Sequence, residues 1–190
     1  MNNIKFPVSI FPSNMNCGLK CSLAILHYYK IRNIKFLNIN GIINNIFVLD
    51  LAMFFFINNI SPLIIYELSI KMFFVNIIMS IIQLNKSFFI SSKYKNYLNI
   101  RNYIKKKIIS TKYVDEIILR NKPIIALIRN KNNLYNNHYI IISGIVNNSY
   151  LIAYPTVNTL KQYVINKQIL INLIKKSGGW LLITSQNENK

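Results

Sequence analysis

The sequence predicts an α+β fold, with a helical N-terminal half packed on a C-terminal antiparallel sheet. The N-terminal part holds segments whose apolar residues recur three to four positions apart, the spacing of a helix face. From Pro123 onward the chain changes to short runs rich in Ile and Val, bounded by Asn, Gly and Pro, which is typical of strands. No repeat or flexible linker divides the 190 residues, so a single domain spanning 1–190 is expected.

The first predicted helix covers residues 17–30, where Leu19, Leu23 and Leu26 define an apolar face. Asp50 is the predicted N-cap of a second helix that runs to about Ile57. Further helices are expected over 67–84, 99–108 and 111–121, with a candidate strand over 87–91.

In the C-terminal part, strands are expected over 124–129, 139–146, 150–153 and 180–184. The run 147–149, Asn-Asn-Ser, tolerates left-handed conformations and predicts a hairpin turn. A helix over about 166–176 is expected to end at Gly178–Gly179.

Two long apolar stretches, 51–66 and 72–84, are interpreted as buried core helices. A membrane-spanning helix needs about 20 mostly apolar residues, and polar residues or Pro62 interrupt both stretches. A membrane-embedded arrangement is the alternative, but no transmembrane span is predicted.

The formal net charge is +18, from 23 Lys and Arg against 5 Asp and Glu. Lys, Asn, Ile, Phe and Tyr are residue types that A/T-rich codons specify, so part of this excess is attributed to codon drift. The densest basic run, 101–107, is interpreted as the solvated face of a helix with Tyr103, Ile104 and Ile108 on its apolar side. Specific nucleic-acid binding is therefore not expected, although weak, salt-sensitive adsorption to polyanions is.

The two cysteines, Cys17 and Cys21, cannot form a disulfide framework, and they indicate a reducing, cytoplasmic compartment. A zinc site would need two more ligands, and His27 and His138 show no metal-site spacing. No metal or other cofactor is predicted. Residues 1–7 show no signal-peptide pattern.

Cys17 and Gly18 stand at the start of the first helix, after an irregular segment that contains Asn14 and Asn16. At a helix N-terminus the dipole and the free N–H groups stabilise a thiolate, the reactive form of cysteine. The same N–H groups can donate to an oxyanion, and Gly18 leaves space for a substrate backbone. This pattern favours Cys17 as a nucleophile over the alternative, a buried core thiol.

The general base is predicted to be His138. His27 lies ten residues along the helix from Cys17, which places it about 15 Å away along the axis. His138 begins a strand, so its ring can project at a sheet edge toward a helix that packs across it. Cys21 and His27 are assigned to packing.

Several segments resemble known families. NCGLKCSLAILHYY over 16–29 and NHYIIISG over 137–144 resemble motifs of the bacteriocin-processing, double-glycine cysteine peptidases. FVLDLA over 47–52 and PIIALI over 123–128 are similar to the guanylyl cyclase domain-containing family, a relative of those peptidases. GWLLI over 179–183 resembles the last peptidase strand. The resemblance implies a papain-like cysteine peptidase fold.

The resemblance also exposes a departure near the histidine. The peptidases carry an Asp-Pro pair after the histidine, and the matching pair here, 154 − 138 = 16 residues on, begins with Tyr154. A phenol can accept a hydrogen bond from imidazole but supplies no charge near neutral pH. Asn158, on the same loop, is the candidate substitute for the missing carboxylate.

A second departure precedes the cysteine. The peptidases carry an oxyanion-hole glutamine six residues before it, where this chain has Phe11. Asn14 and Asn16 are the candidate replacements as donors.

Three functions follow. The leading hypothesis is a thiol hydrolase or acyl-transfer enzyme that acts on a peptide-like amide of a peptide or protein. The alternative is a degenerate domain that binds a peptide or partner without catalysis. Guanylyl cyclase activity, implied by the family label, is disfavoured because two-metal nucleotide chemistry needs paired carboxylates. The carboxylates of the chain are Asp50, Glu67, Asp115, Glu116 and Glu188.

Overall fold

The structure, a computed structural model, describes residues 4–6, 11–12, 15–35, 48–67, 101–129 and 137–186. The helices in these ranges are α1 (Cys17–Tyr28), α2 (Val48–Ile57), α3 (Thr111–Leu119) and α4 (Lys167–Lys176), with a 3₁₀ turn at Arg101–Tyr103. The strands are β1 (Ile60–Tyr66), β2 (Ile104–Lys106), β3 (Ile124–Arg129), β4 (Asn137–Val146), β5 (Ser149–Pro155), β6 (Leu160–Asn166) and β7 (Trp180–Gln186).

The described strands form one seven-stranded sheet in the order β2-β1-β7-β3-β4-β5-β6. Strands β1 and β2 are parallel, and the other neighbouring pairs are antiparallel. The expected α+β class is confirmed. The expectation of a purely antiparallel, C-terminal sheet is wrong, because β1 and β2 precede Pro123, they pair in parallel, and β1 also pairs with the last strand.

Helices cover both faces of this sheet. Successive strand residues point to opposite faces, and in β4 they divide between two cores. Tyr139 and Ile141 pack in the core under α1 and α2, whereas Ile140 and Ile142 pack in the core under α3 and α4. The side on which a β4 residue lies therefore decides which helices it can meet.

Most of the C-terminal elements agree with the sequence prediction. The hairpin turn is confirmed, with Asn147 at φ 52°. Asn166 caps α4 through its side chain, which accepts from the backbone N–H groups of residues 168 and 169. Helix α4 ends before Gly178 at φ 114° and Gly179 at φ 61°, as the Gly-Gly pair predicts.

The predicted helix that runs to about Ile57 is confirmed as α2, but two other interpretations are wrong. The apolar stretch 51–66 is not helical throughout, because its last seven residues form β1. The basic run predicted to be helical over 99–108 forms the 3₁₀ turn and then β2, because Ile104 pairs in parallel register with Ile64.

Smaller corrections concern element ends. Asp50 is not the N-cap of α2, because the helix begins at Val48 and Asp50 lies in its first turn. A carboxylate in that turn still interacts favourably with the helix dipole. Strand β6 was not predicted. The predicted elements at 68–84 and 87–91 lie outside the described residues. Among the helices that are described, none is long and apolar enough to span a membrane.

Candidate active site

Cys17 is the first residue of α1, and its side chain is partly buried. Asn16 caps the helix with φ −61° and ψ 145°, and its Oδ1 accepts a hydrogen bond of 2.8 Å from the backbone N–H of Gly18. The backbone N–H of Cys17 has no acceptor within the described ranges, as is usual for the first turn of a helix. The N-terminus of α1 therefore presents a thiol beside an open amide donor.

Gly18 is buried against β4. A Cβ atom on Gly18 would lie 3.0 Å from Tyr139 Cδ2 and 3.3 Å from Cε2 of the same ring. These distances are tighter than ordinary van der Waals contact. The space that the sequence assigned to a substrate is thus filled by Tyr139, and the glycine lets α1 approach the sheet closely.

Lys20 anchors the N-terminal end of α1 to the loop between β5 and β6. Its side chain is 4% exposed, and Nζ donates to the carbonyl oxygens of Thr156 at 3.0 Å and Val157 at 2.6 Å. A second link joins the same loop to the segment before the helix, because the Phe11 N–H donates to the Asn158 carbonyl at 2.9 Å. The loop that immediately follows Tyr154 is therefore fixed to the helix that carries Cys17.

Tyr154 lies beside His138. Their ring centroids are 5.3 Å apart with an interplanar angle of 42°. The contact is between rings, since the structure shows no hydrogen bond between the phenol and the imidazole. His138 Nδ1 is buried and has no hydrogen-bond partner in the part of the chain that is described.

Burial shapes the protonation of both rings. It lowers the pKa of His138 below its usual 6.5, so the imidazole is neutral at pH 7. Burial is the main cause that raises the pKa of Tyr154, and the negative charge of the Cys17 thiolate raises it further.

The alternation of β4 separates His138 from the face that carries α1. His138 pairs directly with Ile128, which packs against the core under α3 and α4, and Tyr154 packs against that same core. Cys17 packs against the core under α1 and α2. The thiol and the imidazole thus belong to opposite faces of the sheet, and they could meet only around its end, where β4 begins.

The remaining predicted site residues have other surroundings. Phe11 is 3% exposed and belongs to the core under α1 and α2, while Asn158 is exposed and Asn14 lies outside the described residues. Cys21 is buried as predicted, and its Sγ lies 3.5 Å from the carbonyl oxygen of Tyr139. The assignment of His27 to packing is wrong, because its side chain is exposed in the last turn of α1.

No group of three or more His, Cys, Asp or Glu side chains that could hold a metal ion occurs among the described residues. Comparison of the chain with family models, curated proteins and solved structures found no match. The resemblance to the peptidases and to the cyclase-domain family therefore stays a prediction from sequence motifs.

Lys20 is the residue that sequence reasoning missed. The signal was present, because Lys20 is the only Lys, Arg, Asp or Glu between Cys17 and Tyr29, and the residues that follow it, from Cys21 to Leu26, are all buried. A lysine within a buried helix segment must find acceptors for its charge. The sequence does not identify those acceptors, since they are backbone carbonyls more than 130 positions away.

Proposed function

We propose that this chain is a thiol-dependent hydrolase or acyl transferase of papain-like type that acts on a peptide-like amide, with Cys17 as nucleophile and His138 as general base. One observation carries the proposal. The Lys20 contacts to Thr156 and Val157 hold the N-terminal turn of α1 against the loop that follows Tyr154, whose ring contacts His138. Cys17 and His138 are thereby both linked to the β5–β6 loop, which supports their meeting around that end of the sheet.

The chemistry follows from the groups at this end. Cys17 Sγ attacks the carbonyl carbon while its proton passes to the neutral imidazole of His138, whose buried Nδ1 has no partner among the described residues. The tetrahedral intermediate then expels the amine, which takes the proton from the imidazolium. Water hydrolyses the resulting thioester, or another amine accepts the acyl group.

Donors for the oxyanion are available at the same position. The Cys17 N–H has no acceptor among the described residues, and Asn16, whose Oδ1 is occupied as the cap, has its Nδ2 amide as a second donor. Phe11, at the position of the peptidase glutamine, has no side-chain donor, and its backbone N–H is bonded to the Asn158 carbonyl. Asn16 is therefore the better candidate for the second donor.

The test is the pH dependence of Cys17 alkylation by iodoacetamide. Faster labelling of Cys17 than of Cys21 would follow from the burial of Cys21 alone, so the informative comparison is with His138→Gln. Trypsin cleaves after Lys20 and so separates the two cysteines into different peptides.

If His138 serves as the base, Cys17 labelling in the native protein should persist to below pH 6.5 and fall only as His138 becomes protonated. In His138→Gln the rate should already fall below about pH 8.5, the titration range of an unassisted thiol. His27→Gln, which changes the exposed histidine of α1, is the control and should behave as wild type. Superimposable profiles for wild type and His138→Gln would refute the dyad.

A binding domain without catalysis is the second candidate, and one observation favours it. His138 and Tyr154 lie on the face covered by α3 and α4, opposite α1, and no hydrogen bond from the described residues orients the buried Nδ1 of the imidazole. A fold that retained its cleft but not its catalytic geometry would have this arrangement. Guanylyl cyclase activity has no such support, because Glu67 and Asp115 are engaged in ion pairs with lysines.

A further inference from the structure

A basic segment with one prominent apolar residue lies at the outer edge of the sheet. Strand β2 is the terminal strand, and Lys105, Lys106, Lys107 and Ile108 are four consecutive exposed residues in and after it. Ile108 is 70% exposed. We call these four residues the basic edge.

Backbone hydrogen bonds on both sides of Ile108 keep its side chain exposed. On one side of it, the Lys107 N–H donates to the Tyr66 carbonyl at 3.0 Å. On the other side, the Ile109 N–H donates to Glu67 Oε2 at 3.2 Å, and the Ile109 side chain is fully buried. The backbone is thus held on both sides of Ile108, which points its side chain outward while that of Ile109 enters the core.

The lysines of the basic edge form no ion pair among the described residues. The ion pairs found in the described part of the chain join Lys167 to Asp115 and Lys175 to Glu67, and they leave the three lysines of the basic edge without a carboxylate. Lys107 Nζ lies 3.8 Å from the centroid of the Tyr113 ring, which fixes that charge at the surface.

From this arrangement we propose that the basic edge is a peripheral docking surface for an anionic lipid membrane, in which the lysines bind acidic headgroups and Ile108 inserts among them. Clustered lysines are attracted to anionic leaflets, and an exposed apolar side chain gains free energy by entering the interfacial region. Charge would also attract a nucleic acid. A rigidly presented isoleucine, however, finds no apolar environment along a phosphate backbone, and the nearby Tyr113 ring is covered by Lys107 and is not free to stack on bases.

The test is co-sedimentation with vesicles made of equal parts phosphatidylcholine and phosphatidylserine, with pure phosphatidylcholine vesicles as reference. Ile108→Ser should weaken partition onto the anionic vesicles by about tenfold, because the inserted apolar area is lost. Leu119→Ser is the matched control, since Leu119 is 63% exposed at the far end of α3, and it should partition as wild type.

A second pair of variants separates the basic edge from the total charge of +18. Changing Lys105, Lys106 and Lys107 together to Gln should weaken partition by on the order of a hundredfold. The same change at Lys35, Lys161 and Lys176, which are also exposed, removes equal charge and should have a much smaller effect.

Circular dichroism must first show that every variant is folded, which is expected because the substituted side chains are exposed. Equal losses for the two triple variants would mean adsorption by net charge alone and would overturn the proposal. It would also be overturned if Ile108→Ser bound like wild type, or if the basic-edge variants lost affinity for a single-stranded oligonucleotide and kept their affinity for anionic vesicles.

Discussion

Helices α1 and α4 are both fastened to the rest of the molecule by lysines, but with acceptors of different kinds. In α4, Lys167 pairs with Asp115 at 2.7 Å and Lys175 pairs with Glu67 at 2.8 Å. In α1, Lys20 binds two backbone carbonyl oxygens, and it forms no ion pair with a carboxylate among the described residues. The difference is that α4 is held by neutralised pairs, whereas α1 keeps a buried positive charge.

That charge lies one helical turn from Cys17. Positive charge near a thiol favours its thiolate form, and a buried lysine is costly unless its hydrogen bonds are satisfied. The carbonyl acceptors satisfy Lys20 without cancelling its charge. We therefore expect the anchor of α1 to have an electrostatic role as well as a structural one, which the replacement of Lys20 tests.

Replacing Lys20 should have the largest effect. Lys20→Met leaves two carbonyls without their donor and is expected to lower the free energy of unfolding by about 3 kcal/mol, measured by urea denaturation. Cys17 alkylation should slow as well, because the charge is lost. A shorter polar variant, Lys20→Gln, should slow the alkylation similarly, and a Lys20→Met protein as stable as wild type would show that the anchor contributes nothing.

Gly18→Ala should have the next largest effect on this side of the molecule. The added Cβ would lie 3.0 Å from Tyr139 Cδ2, and Tyr139 is held by Trp180 at a ring distance of 5.6 Å. Overpacking of this kind costs about 2 kcal/mol, of which the better helix propensity of Ala recovers part. Urea denaturation measures the change. A stabilised Gly18→Ala protein would mean that the Tyr139 ring can move aside.

Residue patterns predicted the uninterrupted apolar strands better than they predicted β1 and β6. The run at 124–129 is apolar nearly throughout and is confirmed as β3, which lies between β4 and β7. Strand β6 was missed because residues 161–164 are all exposed, so no alternation marks it. Strand β1 was missed because it contains Pro62, a residue that is rare within strands. The proline fits here because β2 pairs only with Ile64–Tyr66 and does not extend to Pro62.

In the candidate site, too, one feature could be predicted from the sequence and another could not. The start of α1 at Cys17 was predictable, because an Asn cap precedes an apolar helix. The face of the sheet on which His138 lies was not predictable, since it depends on the pairing of β4 with β3 and on which helices cover each face. Side chains along a strand alternate between the two faces of the sheet, so a shift of one residue in the pairing of β4 would move His138 to the other face. The local sequence does not fix that pairing register.

A carboxylate next to His138 would test whether the imidazole acts on Cys17. Tyr154→Asp introduces one there and should orient the imidazole and stabilise the imidazolium that forms when it takes the thiol proton. We expect Cys17 to be alkylated about tenfold faster near pH 7, a change of about 1.4 kcal/mol in the barrier. Tyr154→Asn is the control, because Asn is similar in size to Asp but carries no charge.

Folding of the Tyr154 variants must be checked by circular dichroism, because the smaller side chains could leave a cavity. A well-folded Tyr154→Asp protein with an unchanged labelling rate between pH 5 and 8 would mean that His138 does not act on Cys17. The binding function would then replace the catalytic one.

The smallest expected effect belongs to the exposed end of α4. The side chains of the Lys175–Glu67 pair are 39% and 25% exposed, against 14% and 28% for Lys167–Asp115. Lys175→Met should therefore cost only about 0.5 kcal/mol, as surface ion pairs do, and Lys167→Met should cost more.

Salt tests the comparison between the helices directly. Screening weakens exposed ion pairs, so the loss of stability in Lys175→Met should shrink as sodium chloride is raised in the urea titration. Lys20 is buried and binds neutral carbonyls, so the loss in Lys20→Met should change little with salt. If both losses fell in parallel, Lys20 would be acting through long-range attraction to a carboxylate, and the distinction between a charged anchor for α1 and neutralised anchors for α4 would be wrong.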